Sequence, residues 1–183
     1  MAKYKIIDYV YPTAGELARL ILQYKDVEYD DEKVDSPDRI YEAEEDLVGK
    51  NNEEAAICDM VMDGLGVMFS KVRGNQISKL DAKQQIALFK QMIEEDVPRF
   101  LAKYERFLER SDLKSGYLAS EQLTWCDLGV ALTFAGMQIR QPKLLEKYPH
   151  LKNFVDKVTA NEVVSHFIET ELAPSAVLRK NSM

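Results

Sequence analysis

An α/β unit followed by an all-α domain is the fold class the sequence predicts, on three observations. Lys3 to Tyr11 (KYKIIDYVY) is rich in β-branched and aromatic residues, which suits a strand. The stretch after it repeats apolar residues at helical spacing and leads into a second short strand-like run. From Asn51 onward every apolar pattern has the helical period. The chain therefore divides near residue 50, into 1–50 and 51–183.

Pro12-Thr13 punctuates the first strand. From Glu16, the residues Leu17, Leu20, Ile21 and Tyr24 fall at i, i+3, i+4 and i+7 and define one buried helix face. Val27 to Val34 (VEYDDEKV) is the second strand, expected to lie parallel to the first through a right-handed crossover. Asp35-Ser36-Pro37-Asp38 reads as a turn, and Arg39 to Leu47 as an acidic stretch with room for two helical turns. Asn51 with Glu54 three residues later starts a long helix striped by Ala55, Cys58, Val61, Met62, Leu65, Met68, Phe69 and Val72. A second stripe runs through Ile86, Phe89, Ile93, Val97, Phe100, Leu101, Tyr104 and Leu108, with Pro98 expected to kink or break it. Thr124-Trp125-Cys126-Asp127 is a capping box, with Leu123 and Leu128 at staple positions. Two shorter helices follow, one from Pro149 with Leu151, Phe154, Val155 and Val158, the other with Val163, Val164, Phe167 and Ile168. The tail after Pro174 reads as loose.

The composition excludes several function classes. The 183 residues, 46% hydrophobic and 30% charged, are enough to bury a core. Against 24 basic residues stand 31 acidic ones, and the formal charge of -7 repels a phosphate backbone, which argues against a nucleic-acid partner. No run reaches the roughly 18 to 20 apolar residues of a membrane span, and Met1-Ala2-Lys3-Tyr4-Lys5 is not a signal sequence, so a cytoplasmic protein is expected. Two cysteines, Cys58 and Cys126, in apolar helical patterns and two histidines, His150 and His166, argue against a disulfide framework, a structural zinc or any other metal site.

The order of elements, together with several stretches of sequence, resembles the cytosolic glutathione S-transferases. Tyr4-Lys5-Ile6 and Glu16-Leu17-Ala18-Arg19 are similar to that family's first strand and first helix, and Val27-Glu28-Tyr29-Asp30-Asp31 to its second strand. Asp46 to Ala56 is similar to the joint between its two domains, and Asp59-Met60-Val61-Met62-Asp63-Gly64 to its fourth helix. Gly116-Tyr117-Leu118, Leu123 to Leu128, Leu144 to Lys152 and Phe167-Ile168-Glu169-Thr170 continue the likeness. The wording is nearest the sigma class, with pi-like features in the fourth helix. The resemblance implies a thioredoxin-like N-terminal domain, a homodimer, and conjugation of glutathione, a co-substrate and no cofactor, to a small hydrophobic electrophile.

Departures from the family pattern fall on the glutathione side. A β-β-α unit that carries a cis-proline in the family has only Asp35 to Asp38 to occupy, too short for two strands of about 5 to 6 residues and a helix of about 11. Pro12 and Pro37 are the only prolines before Pro98, and neither lies in an apolar strand context. The N-terminal domain thus reads as truncated to β-α-β; either the unit is deleted, or about thirty residues of the protein fall outside this sequence.

Sigma, pi and mu members place a tyrosine at the end of the first strand, where its hydroxyl stabilises the glutathione thiolate. An ungapped alignment puts Asp8 there, and a carboxylate would raise the thiol pKa. Tyr9, one residue on, is the candidate catalytic and glutathione-binding residue, although a one-residue shift turns a strand side chain to the other face. Pro12-Thr13 replaces an arginine-glycine pair, and Gly66 or Val67 replaces an acidic residue of the fourth helix. Capping accounts for Thr124 and Asp127, solvation for Asp59, Asp63 and the Glu42 to Asp46 run, and core packing for Cys58, Cys126, Met60, Met62, Met68 and Phe69. Two functions stand open. One is a glutathione transferase acting on hydrophobic electrophiles; the other is a non-catalytic relative, crystallin-like or ligand-carrying, that has lost the glutathione site.

Overall fold

Strand β1 (Tyr4–Tyr9) lies parallel to β2 (Tyr29–Val34), with Tyr4 opposite Tyr29 and Tyr9 opposite Val34. The computed structural model describes residues 4–9, 15–34, 47, 49–73 and 81–173. Between the strands runs α1 (Gly15–Tyr24), so the predicted β-α-β opening is present, and Ile6 and Leu20 are its buried apolar contacts. The helix stops because Asp26 turns left-handed at φ 52°: the Val27 N–H reaches Leu22 O at 2.9 Å and the Asp26 N–H reaches Gln23 O at 3.1 Å. That pair of bonds satisfies carbonyls the helix end would otherwise leave open. Pro12-Thr13, the turn at Asp35 to Asp38, most of the acidic stretch from Arg39 and the tail after Pro174 lie outside the described residues.

The helical body begins at α2 (Asn52–Arg73), where Asn51 Oδ1 accepts the Glu53 and Glu54 N–H groups, both at 3.0 Å, as the sequence predicts. Its stripe buries Cys58, Val61, Leu65 and Met68, whereas Met60, expected in the core, is exposed. Met60 precedes Val61 by one residue, about 100° around the helix, which takes it off the buried stripe.

The second stripe departs further from expectation. Helix α3 (Ala82–Gln91) passes through a π-turn, Met92–Asp96, into α4 (Val97–Glu109). Pro98 at the second position of α4 has no N–H and crowds the carbonyl four residues back, and the turn before it widens so that the Val97 N–H bonds Met92 O. One extra residue in a turn rotates the following face by about 100°. Val97, Leu101 and Tyr104 are accordingly buried while Ile86 and Ile93 are exposed, at 68% and 40%, and Met92 and Asp96 take the inner side.

Helix α5 (Trp125–Arg140) runs through the centre, packed by α1, α2 and α6, and its Cys126, Leu128, Val130, Ala131 and Phe134 are all fully buried. Gly129 is a point of close approach: a Cβ there would stand 2.8 Å from Met62 Sδ and 3.2 Å from Leu17 Cδ2. Tyr104 joins the layers, its hydroxyl donating to Val61 O at 2.8 Å and its ring meeting Phe134 edge-on at 5.5 Å. Helices α6 (Pro149–Thr159) and α7 (Glu162–Phe167) close the body, and a final π-turn spans Ile168–Leu172. Leu151, Phe154, Val155 and Val158 form the buried face of α6 as predicted. Among the described residues no helix is long and apolar enough to cross a membrane.

Candidate functional site

Parallel pairing brings the carboxyl ends of β1 and β2 to one edge, so Tyr9 and Val34 stand side by side there, with Asp8 opposite Lys33 one step earlier. In open parallel sheets that edge is where ligands bind. Asp8 and Tyr9 are fixed by register only; their side chains, and Pro12-Thr13, lie outside what is described.

The edge is braced from α1. Arg19 is 2% exposed and forks onto Asp31 of β2, Nε donating to Oδ2 at 3.0 Å and Nη2 to Oδ1 at 2.8 Å; Nη1 reaches Glu16 at 3.3 Å. A planar guanidinium matches a carboxylate in this two-point way, so the contact sets the helix against the strand in direction as well as distance. Only the Glu16 contact is local, since Glu16 and Arg19, three apart, share a helix face.

Behind α1, the start of α5 is a polar cluster in an apolar setting. Asp127 is fully buried; Oδ2 accepts the Thr124 N–H and hydroxyl, both at 2.7 Å, and Oδ1 accepts the Leu118 N–H at 2.8 Å. Burial pushes the Asp127 carboxyl above its ordinary range, and the hydrogen bonds from Thr124 and Leu118 pull the other way. The capping box read from the sequence is present, and it also anchors the chain nine residues upstream. Cys126 contacts the Thr124 hydroxyl at 3.2 Å, and burial raises its thiol pKa. A thiol held neutral is not a nucleophile, and with Cys58 equally buried both cysteines are core residues, as expected.

On α2 the remaining candidates scatter outward. Asp59 and Asp63 are exposed, as are Gly66 and Val67, while Met62 and Met68 join the core. A contact that local reading missed joins α4 to α6: Glu105 Oε1 takes the His150 N–H at 3.1 Å and Nδ1 at 2.8 Å, and Oε2 takes the Leu151 N–H at 2.8 Å. Burial works against the Glu105 charge, but these donors at the start of α6 outweigh it and hold the carboxyl below its usual range.

Known proteins are similar to this chain in sequence and fold. The family model described as "Glutathione S-transferase, C-terminal domain" matches residues 68–171, more than half of the chain. A glutathione S-transferase of Dirofilaria immitis is 29% identical over 108 residues, covering 59% of this chain and 50% of that protein. Hematopoietic prostaglandin D synthase of Mus musculus is 22% identical, covering 92% of this chain and 96% of that protein. Among solved structures, the monomeric glutathione S-transferase Na-GST-3 of the hookworm Necator americanus superposes with a TM-score of 0.75 at 21% identity, over 92% of this chain and 97% of that one. With that family model over most of its helical body, on a fold shared with these structures, the chain belongs to the cytosolic glutathione S-transferases.

Proposed function

We propose that the protein conjugates reduced glutathione to small hydrophobic electrophiles, as a sigma-like, homodimeric, cytoplasmic enzyme. One observation carries the reading: Tyr9 ends β1 at the carboxyl edge of a parallel pair that α1 docks against the transferase-type helical body. The Tyr9 hydroxyl would donate a hydrogen bond to the glutathione sulfur, favouring thiolate over thiol. The sulfur then attacks the electrophilic carbon, forming the S–C bond as the leaving group departs or the acceptor π-bond opens. Likeness to the mouse prostaglandin D synthase adds prostaglandin D synthesis to the activities this reading admits.

The second reading, a binding or structural relative without glutathione chemistry, is favoured by chain length between the elements. Only residues 35–46 lie between the end of β2 and Leu47, fewer than two strands and a helix need. Retention on immobilised glutathione separates the two. The transferase reading expects the intact chain to bind and to elute with free glutathione; flow-through of the folded protein decides for the second.

A further inference from the structure

Because β1 and β2 are parallel, α1 between them runs the other way, and its first turn stands at the carboxyl edge where Tyr9 ends β1. Leu17 lies in that turn and is half-buried. It meets α2 and α5 at one point: the Cβ that Gly129 lacks would stand 3.2 Å from Leu17 Cδ2, 2.7 Å from Met62 Cε and 2.8 Å from Met62 Sδ. The space of an absent side chain on α5 is thus filled by the end of a methionine from α2. From Cys126 to Ala135 every residue of α5 is buried except Thr133, which shares a face with Gly129 one turn on. Leu17, Met62 and Thr133, all half-buried, mark where the core leaves that stretch of α5 unsealed, beside the edge that carries Tyr9.

An electrophile that receives sulfur at that edge must lie within reach of it, and an apolar one gains by lying against apolar side chains. Leu17 and Met62 stand there, and they differ in how far they can yield. Leu17 belongs to the helix that Arg19 clamps to β2. Met62 has an unbranched, adaptable chain whose end lies over a glycine and not over another side chain. We propose that Met62 is the specificity-determining residue of the transfer. Its thioether closes the space over Gly129, so the acceptor is a small electrophile with one flat ring or a slender chain, and two-ring or branched acceptors are turned away. This role for Met62 rests on the transferase reading and names the acceptor class within it. One methylene in an apolar pocket changes discrimination about 10- to 200-fold, so loss of the methionine end should read as a change of at least that lower order.

Thioether conjugates test this by binding, without turnover: calorimetry of the intact chain with S-methyl-, S-benzyl- and S-diphenylmethylglutathione. Wild type should hold the S-benzyl conjugate at least tenfold more tightly than the S-diphenylmethyl one. Met62→Ala should reduce that ratio to less than about threefold by strengthening the two-ring conjugate, while Met62→Leu, close to methionine in volume, should keep it within about twofold of wild type. Gly129→Ala pushes the methionine end outward and should raise the ratio, and adding Met62→Ala to it should remove that rise. S-Methylglutathione reaches little beyond the sulfur, so its affinity should stay within about twofold in every variant, which also shows that each is folded. Equal wild-type affinity for the two ring conjugates, a ratio that Met62→Ala leaves unchanged, or an equal loss for all three ligands would each overturn the proposal while glutathione binding, and with it the transferase reading, stands. Failure of wild type to hold any of the three would overturn both together.

Discussion

Arg19 and Asp31 form a two-point ion pair between α1 and β2, closed at 2.8 and 3.0 Å with the guanidinium shut off from water. The contact ties the crossover helix to the second strand, and with it the edge at which Tyr9 ends. Removing the arginine leaves a void and an unpaired acid, but the Asp31 side chain is 34% exposed and regains water. Arg19→Ala should therefore cost about 2–3 kcal/mol, below the loss for a fully buried pair. Urea unfolding would measure it, and a double-mutant cycle with Asp31→Ala should return a coupling of about 1 kcal/mol or more.

Glu105 makes stability depend on acid. Its folded pKa lies below the ordinary 4.5, so its contribution is fully present above that pH and is lost as pH falls through the folded value. Glu105→Gln should lower stability by about 1–2 kcal/mol at pH 7, and the gap from wild type should narrow below pH 4.5. Denaturant titrations at pH 7 and pH 4 check the sign; a gap that widens in acid would contradict it.

Asp127 should tolerate little. Asparagine offers one acceptor oxygen where the carboxylate serves Leu118 through one oxygen and Thr124 through the other, and its amide would face a donor. Asp127→Asn should cost about 2–4 kcal/mol, read as a lower urea midpoint at unchanged slope.

If Tyr9 stabilises the thiolate, Tyr9→Phe should lower turnover about 100-fold while retention on glutathione persists. Full activity in that variant, with loss on altering Asp8, would move the role one residue back along β1.

Met60 and Val67 of α2 and Ile86 of α3 are exposed apolar side chains, and a self-associating surface would cover them. Sedimentation velocity should show a dimer, and Met60→Lys with Ile86→Lys should shift it toward monomer. A monomer at high concentration would place this chain with the monomeric hookworm protein in assembly.

Local chemistry explains which features were legible. The caps at Asn51 and at Thr124 with Asp127 need only residues three apart, and the stripe of α2 needs only its own period. The exposure of Ile86 and Ile93 was not legible because a helical period assumes an unbroken turn, and the π-turn at Met92–Asp96 resets the phase. Legibility of the site was lower: Tyr9 and Asp8 differ by one residue, and β-strand sequence alone does not say which faces a ligand.

By itself the sequence determined the β-α-β opening, the helical body, the buried cysteines and the capped start of α5, because propensity, period and capping act within a few residues. Tertiary structure alone decided that Arg19 meets Asp31, that Glu105 caps a helix beginning 44 residues later at Pro149, and that Leu17 and Met62 meet over Gly129. Such contacts join residues far apart in the chain, and they form only where packing of the apolar faces has already brought those helices together.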